Sequence, residues 1–130
     1  MQTVEYGVGR DLTESYGTVL PRVIEALKDE GFGVITEIDI QKTMKEKLGV
    51  DGRPSVILGA CNPKLAHAAL GVEADLGLLL PCNVVVYEID TGTRVAAVNA
   101  GAMLGMVGNP ELAPIADEVQ ARLTRVLESL

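Results

Sequence analysis

The sequence predicts an α+β domain in which an antiparallel sheet is covered on one face by two longer helices. The predicted elements run in the order strand, helix, several strands with short inserted helices, and terminal helix. Asp90-Thr91-Gly92 joins the last two strands, and this turn is too short for the crossover that a parallel pair would need. With no linker or long repeat, a single domain over residues 1–130 is expected.

The first elements are a strand predicted over residues 3–9 and a helix that follows it, with Thr13 as N-cap and Gly31 at its end. Pro21 removes one backbone hydrogen bond inside this helix, which predicts a kink or a later helix start. Residues 32–40 alternate with a period of two, the clearest strand pattern of the chain. The helix has apolar residues at the 3.6-residue period of one buried face: Tyr16, Leu20, Val23, Ile24 and Leu27.

The middle of the chain predicts a short polar helix, a buried strand and a second short helix. The polar helix spans residues 41–48 before Gly49, and the strand over residues 55–60 is apolar on both faces. Asn62-Pro63 then offers an N-cap and a proline at the first helical position, which begins a helix to about Leu70 that Gly71 ends.

The last third predicts a hairpin and a long terminal helix. Its strands cover residues 81–89 and 93–98, and the Gly- and Met-rich segment 100–108 is predicted to be irregular. From residue 109 to the C-terminus, apolar residues recur with strong helical periodicity, and Pro114 marks the first turn.

Composition excludes several classes of partner. The 18 acidic residues outnumber the 11 Lys and Arg, and a net charge of -7 repels a phosphate backbone, so no nucleic-acid partner is expected. No run approaches the roughly 18 apolar residues of a membrane helix, so no membrane partner is expected. The first five residues lack the pattern of a signal peptide, so a cytoplasmic location and reduced cysteines are predicted.

Two similar strings at strand ends are the strongest candidates for a functional site. Cys61-Asn62 leaves the strand over residues 55–60, and Cys82-Asn83 enters the next predicted strand. If these strands are antiparallel neighbours, both pairs lie at the same end of the sheet and can face one site. Cys61 also precedes a helix, whose positive N-terminal end favours a reactive thiolate.

Each of these residues also has a structural explanation. Packing is favoured over reactivity for Cys61 and Cys82, since free cysteine is among the most buried residue types. Asn62 is explained by its position as an N-cap, whereas for Asn83 the structural and functional interpretations are balanced.

Other residues give weaker indications of chemistry. Glu37 and Asp39 share a strand face and could pair for acid–base work, although a solvated edge or a subunit contact is the simpler interpretation. A zinc site would need the cysteines together with His67 or carboxylates such as Glu37 and Asp75. Because His67 falls on the polar side of its helix, no metal site is predicted. No catalytic residue is assigned.

Apolar surface remains after the two long helices are placed. The strands near residues 56–58 and 84–87 are apolar on both faces, and two helices can cover only one face. A second copy of the chain is the simplest cover for the other face, which predicts a homodimer. The Gly-rich segment could form a deformable pocket wall, although core filling is the simpler interpretation for Met103, Leu104, Met106 and Val107.

Several strings resemble the domain-of-unknown-function family 302 (DUF302), in the family's order and spacing from about Tyr16 to the C-terminal helix. The most specific are the Cys-Asn-Pro string and the Leu-Pro-Cys-Asn string. The full set is Glu30-Gly31-Phe32-Gly33-Val34, Thr36-Glu37-Ile38-Asp39, Leu58-Gly59-Ala60-Cys61-Asn62-Pro63 and Leu78-Leu79-Leu80-Pro81-Cys82-Asn83-Val84-Val85-Val86-Tyr87-Glu88.

The resemblance implies a fold similar to one half of the TATA-binding-protein architecture, with a curved antiparallel sheet, two main helices and homodimers. It implies no established activity, and DNA binding does not carry over to a chain with a charge of -7. Many members carry Asp-Pro where this sequence has Asn99-Ala100.

The main functional hypothesis is a homodimeric domain that binds a small molecule or a protein partner near the strand ends. The second hypothesis is a thiol-dependent enzyme or redox carrier using Cys61 or Cys82, with Glu37 as a base. The third is a structural interaction module with no ligand. The sequence identifies no cofactor. The candidate ligand-binding residues are Cys61, Asn62, Cys82, Asn83 and Glu37.

Overall fold

The six strands within residues 2–130 pair in one antiparallel sheet, which confirms the predicted sheet type. The computed structural model describes residues 2–130, with side chains from Val4 onward. The strands run in the spatial order β1-β2-β6-β5-β4-β3, so the three-residue β1 and the longer β3 form the two edges. Their bounds are β1 Gln2–Val4, β2 Gly7–Leu12, β3 Gly33–Asp39, β4 Ser55–Cys61, β5 Cys82–Ile89 and β6 Gly92–Val98.

Two long helices and three short ones complete the α+β fold. The long helices are α1 (Tyr16–Asp29) and α5 (Ala113–Glu128), and both were predicted from their apolar periodicity. The short helices are α2 (Ile40–Leu48), α3 (Pro63–Val72) and α4 (Ala100–Gly105), with 3₁₀ segments at Ala74–Leu79 and Pro110–Leu112.

The long helices pack on the same face of the sheet. Val19, Val23 and Leu27 of α1 are buried in one cluster with Leu123 and Val126 of α5. From the strands, that cluster takes every second residue, as the two-residue period of a strand requires: Val56, Leu58, Ala60, Cys82, Val84, Val86, Val95 and Ala97. The opposite face keeps partly exposed apolar side chains, among them Ile57, Val85 and Ala96.

The N-terminal prediction was wrong in two respects. Instead of one strand over residues 3–9, the chain forms the hairpin of β1 and β2, with its turn at residues 5–6. Thr13 is not the N-cap, because β2 stays paired with β6 up to Leu12, opposite Thr93, and the chain needs three more residues to turn. Ser15 takes the N-cap position, and α1 accommodates Pro21 in its interior.

Two further differences concern helix ends and the glycine-rich segment. Residues 100–108 are not wholly irregular, since α4 forms there because Asn99 caps it, its side chain accepting a hydrogen bond from Ala102 N at 3.0 Å. Gly71 does not end α3, which continues to Val72. The predicted end of α2 is confirmed, because Gly49 adopts φ 66° there.

Candidate functional site

A cavity of about 280 Å³ lies beside α3, at the ends of β4 and β5 that carry the Cys-Asn pairs. The helix α5 and the 3₁₀ segment Ala74–Leu79 contribute the other walls. Apart from Asn62 and the two cysteines, the lining residues are apolar: Phe32, Ile35, Ala60, Leu65, Ala66, Ala69, Leu70, Gly77, Leu80, Pro81, Leu104, Ile115 and Val119. The chemistry of the walls therefore favours an apolar occupant.

The structure brings three of the five candidate residues together. Cys61, Asn62 and Cys82 all line the cavity. Asn83 does not, because it pairs opposite Gly59 and points to the exposed side of the sheet, while its neighbour Cys82 is buried. Glu37 does not line the cavity either, since it is exposed on the edge strand β3.

Asn62 occupies the N-cap of α3, as the sequence predicted. Its Oδ1 accepts a hydrogen bond from Leu65 N at 3.3 Å, and its carbonyl oxygen accepts from Ala66 N at 2.9 Å. Pro63 fills the first position of the helix, where an N–H group would have no intrahelical acceptor. The transition from β4 to α3 thereby fixes Asn62 at the edge of the cavity.

Cys82 is a buried thiol rather than an activated thiolate. Its side chain is 7% exposed, and burial raises its pKa to about 11, with the nearby Cys61 adding to the effect. At neutral pH the sulfur keeps its proton and is a poor nucleophile. Cys61 is also a free thiol and is less buried than Cys82. Thiol chemistry at Cys82 therefore has no electrostatic support.

Asp39 caps a helix, and this structural role explains its carboxylate without acid–base chemistry. Its Oδ1 accepts a hydrogen bond from Lys42 N at 2.9 Å and so caps α2. Glu37 lies two residues earlier on the same strand, without a side-chain partner among the described residues. This arrangement supports the solvated-edge interpretation of the two carboxylates.

An arginine that the sequence did not single out lies on α5 beside the site, outside the cavity lining. Arg122 donates from Nη1 to the carbonyl oxygen of Glu30 at 2.9 Å and from Nε to Glu118 at 2.7 Å. Arg125 pairs with the Glu30 carboxylate at 2.9 Å. Arg122 lies three residues after Val119, a lining residue, but helical periodicity alone gave no reason to select it.

Within residues 2–130, no group of three or more His, Cys, Asp or Glu residues has an arrangement that could hold a metal ion. His67 is exposed on α3 and does not line the cavity. None of the helices in the same range combines the length and apolarity needed to cross a membrane.

These features define a small α+β domain with a two-helix layer and an apolar cavity at the sheet end. The chain belongs to the family described as Domain of unknown function DUF302, which matches residues 8–130. It is similar to the uncharacterized conserved protein DUF302 from Bacillus stearothermophilus, known from a crystal structure. The two chains are 32% identical, with a TM-score of 0.88 over 96% of this chain and 98% of the other. No curated protein matches the sequence.

Proposed function

We propose that this domain binds a small, predominantly apolar molecule in the cavity beside α3 and that it acts as a homodimer. The cavity itself carries the binding proposal. Its volume of about 280 Å³ is close to the lower end of the range for small-molecule sites, which are mostly apolar with a few polar groups. Asn62 at its edge is a polar group of this kind.

The cavity is open to solvent on one side, since Ile35 and Leu70 in its lining are 62% and 40% exposed. Its walls therefore leave apolar surface in contact with water. A ligand that covers this surface gains about 25 cal/mol for each Å² of apolar area it buries. For the thiol-dependent enzyme or redox carrier using Cys61 or Cys82, the Cys82 form has less support, because the raised pKa of Cys82 keeps its sulfur protonated.

The dimer part of the proposal rests on the sheet face opposite α1 and α5. Ile38 is 47% exposed there and pairs with Ile57, and Val85 and Ala96 continue the apolar surface on the neighbouring strands. A second copy would bury this surface. The DUF302 resemblance implies a dimer and a fold like one half of the TATA-binding protein. We propose both for this chain.

The binding proposal is tested with N-phenyl-1-naphthylamine, a neutral probe whose fluorescence rises in apolar sites. Ala66 lines the cavity, whereas Ala68 is exposed on the same helix and does not line it. Ala66→Phe should fill the cavity and abolish the fluorescence gain, and Ala68→Phe should retain it. Equal binding by both variants, or none by the wild type, would contradict the proposal.

The dimer is tested by native mass spectrometry of protein purified without reductant or chelator. The expected species is a dimer that carries extra mass from a retained ligand. A monomer would overturn the dimer proposal. A bare dimer that also fails to bind the probe would instead favour the structural interaction module.

A further inference from the structure

The half-buried side-chain amide of Asn62 on the cavity wall has a donor with no partner among the described residues. Oδ1 of Asn62 is assigned by its hydrogen bond from Leu65 N, so the other terminal atom of the side chain is the Nδ2 amide. Nδ2 donates to no acceptor among the described residues. An amide donor on an otherwise apolar wall favours a ligand that brings its own acceptor.

A cationic donor lies close to this amide. A Cβ atom placed on Gly31 would be 2.9 Å from Asn62 Nδ2 and 3.5 Å from Arg122 Nη1. The two nitrogens therefore both lie close to the same position next to Gly31. The Nη2 group of Arg122 has no acceptor among the described residues. The Glu30 carboxylate pairs with Arg125, and the Glu118 carboxylate pairs with Nε of Arg122 itself, which leaves Nη2 of Arg122 for a second acceptor. A carboxylate can accept from an amide and a guanidinium together.

The apolar part of the cavity extends away from this point along α3. Asn62 at the start of the helix and Leu70 near its end both line the cavity, and eight residues of helix correspond to about 12 Å. Between them the lining side chains of α3 are apolar, and Leu70 is 40% exposed at the far end. This shape suits a chain with one polar end.

We propose that the ligand is a medium-chain monocarboxylate, whose carboxylate accepts hydrogen bonds from Asn62 and Arg122 and whose alkyl chain lies along α3. This inference rests on the proposed function, because it assigns a chemical class to the ligand of the same cavity. It makes Asn62 both the cap of α3 and a ligand contact.

The test compares octanoate with 1-octanol, a neutral probe of the same chain length, by isothermal titration calorimetry. Octanoate should bind about ten-fold more tightly, since hydrogen bonds to a charged group contribute more than neutral ones. If neither probe binds, the proposed function fails as well. If 1-octanol binds as tightly as octanoate, only the carboxylate inference is overturned.

Two pairs of measurements locate the carboxylate. Asn62→Asp keeps a capping oxygen for Leu65 N but replaces the donor with a negative charge, so octanoate affinity should fall about ten-fold while 1-octanol affinity changes less than about two-fold. Arg122→Gln should also weaken octanoate binding. Arg53→Gln is the matched control, because Arg53 lies before the start of β4, at the end of that strand away from Cys61, pairs there with Asp90, and should leave octanoate affinity unchanged.

The arginine pair keeps the test decisive if Asn62→Asp does not fold. Equal octanoate affinity in Arg122→Gln and Arg53→Gln would overturn the assignment of Arg122. Unchanged octanoate affinity in a folded Asn62→Asp variant would overturn the assignment of Asn62.

Discussion

The side-chain amide of Asn62 lies against the backbone of Gly31, so the start of α3 meets the end of α1. Gly31 has φ 85° and lies in a Schellman motif, in which Gly31 N donates to Lys28 O at 3.0 Å and Phe32 N to Leu27 O at 2.9 Å. This turn places Phe32 in the cavity wall. One glycine thus links the helix end, the cap and the site.

Gly31→Ala should destabilise the protein more than Gly49→Ala. Both glycines have positive φ, but a Cβ at residue 49 meets no atom within 4 Å, whereas at residue 31 it would be 2.9 Å from Asn62 Nδ2. We expect a loss of about 1 kcal/mol for Gly49→Ala from backbone strain and about 2 kcal/mol for Gly31→Ala. Urea unfolding measures both, and equal losses would show that the contact with Asn62 is unimportant.

Asn99 should be replaceable by Asp but not by Ala. The side-chain oxygen of Asn99 accepts from Ala102 N at 3.0 Å, and a carboxylate at this N-cap can do the same. Asn99→Ala should lower the free energy of unfolding by about 1 kcal/mol, and Asn99→Asp by less than about 0.5 kcal/mol. Equal losses in chemical denaturation would indicate that the 3.3 Å bond from Asn99 Nδ2 to Glu5 O matters more than the cap.

Cys82 should make the protein less stable at high pH. Because the folded-state pKa is raised from 9.0 to about 11, the unfolded chain loses its thiol proton first. The stabilisation of the folded protein by the protonated Cys82 thiol is fully present below pH 9 and is lost as the pH rises to about 11. The free energy of unfolding should fall by at most about 2 to 3 kcal/mol over this range. Urea unfolding at both ends of this range should show a smaller pH dependence for Cys82→Ala than for the wild type. An identical dependence would contradict the assignment.

Alkylation of the folded protein should distinguish the two cysteines. Cys61 is partly exposed, whereas Cys82 is buried and its pKa is raised. Iodoacetamide at neutral pH should therefore modify Cys61 before Cys82, as read by peptide mass spectrometry. Unfolding in urea provides the control, since both thiols should then react at similar rates. Faster reaction at Cys82 in the folded state would contradict this burial order.

Much of the fold was predictable because local patterns agree with the tertiary structure. The alternation over residues 32–40, the turn at Asp90-Thr91-Gly92 and the Asn62-Pro63 helix start each correspond to an observed element. Local patterns failed where a distant partner decides the outcome. Thr13 looks like an N-cap, but pairing of β2 with β6 delays the helix to Tyr16.

The sequence by itself determined the α+β class, the antiparallel sheet and the two-helix layer. It also predicted that the candidate site lies at the end of the sheet that carries the Cys-Asn pairs. Only the tertiary structure separated Asn83 from Cys82, because adjacent residues of a strand point to opposite faces and β4 fixes which face each takes. It also assembled the cavity, whose walls come from Phe32, Leu80 and Val119. The periodicity of a single helix or strand does not predict that these three residues come together, since their contact depends on how α5 packs against α3 and the sheet.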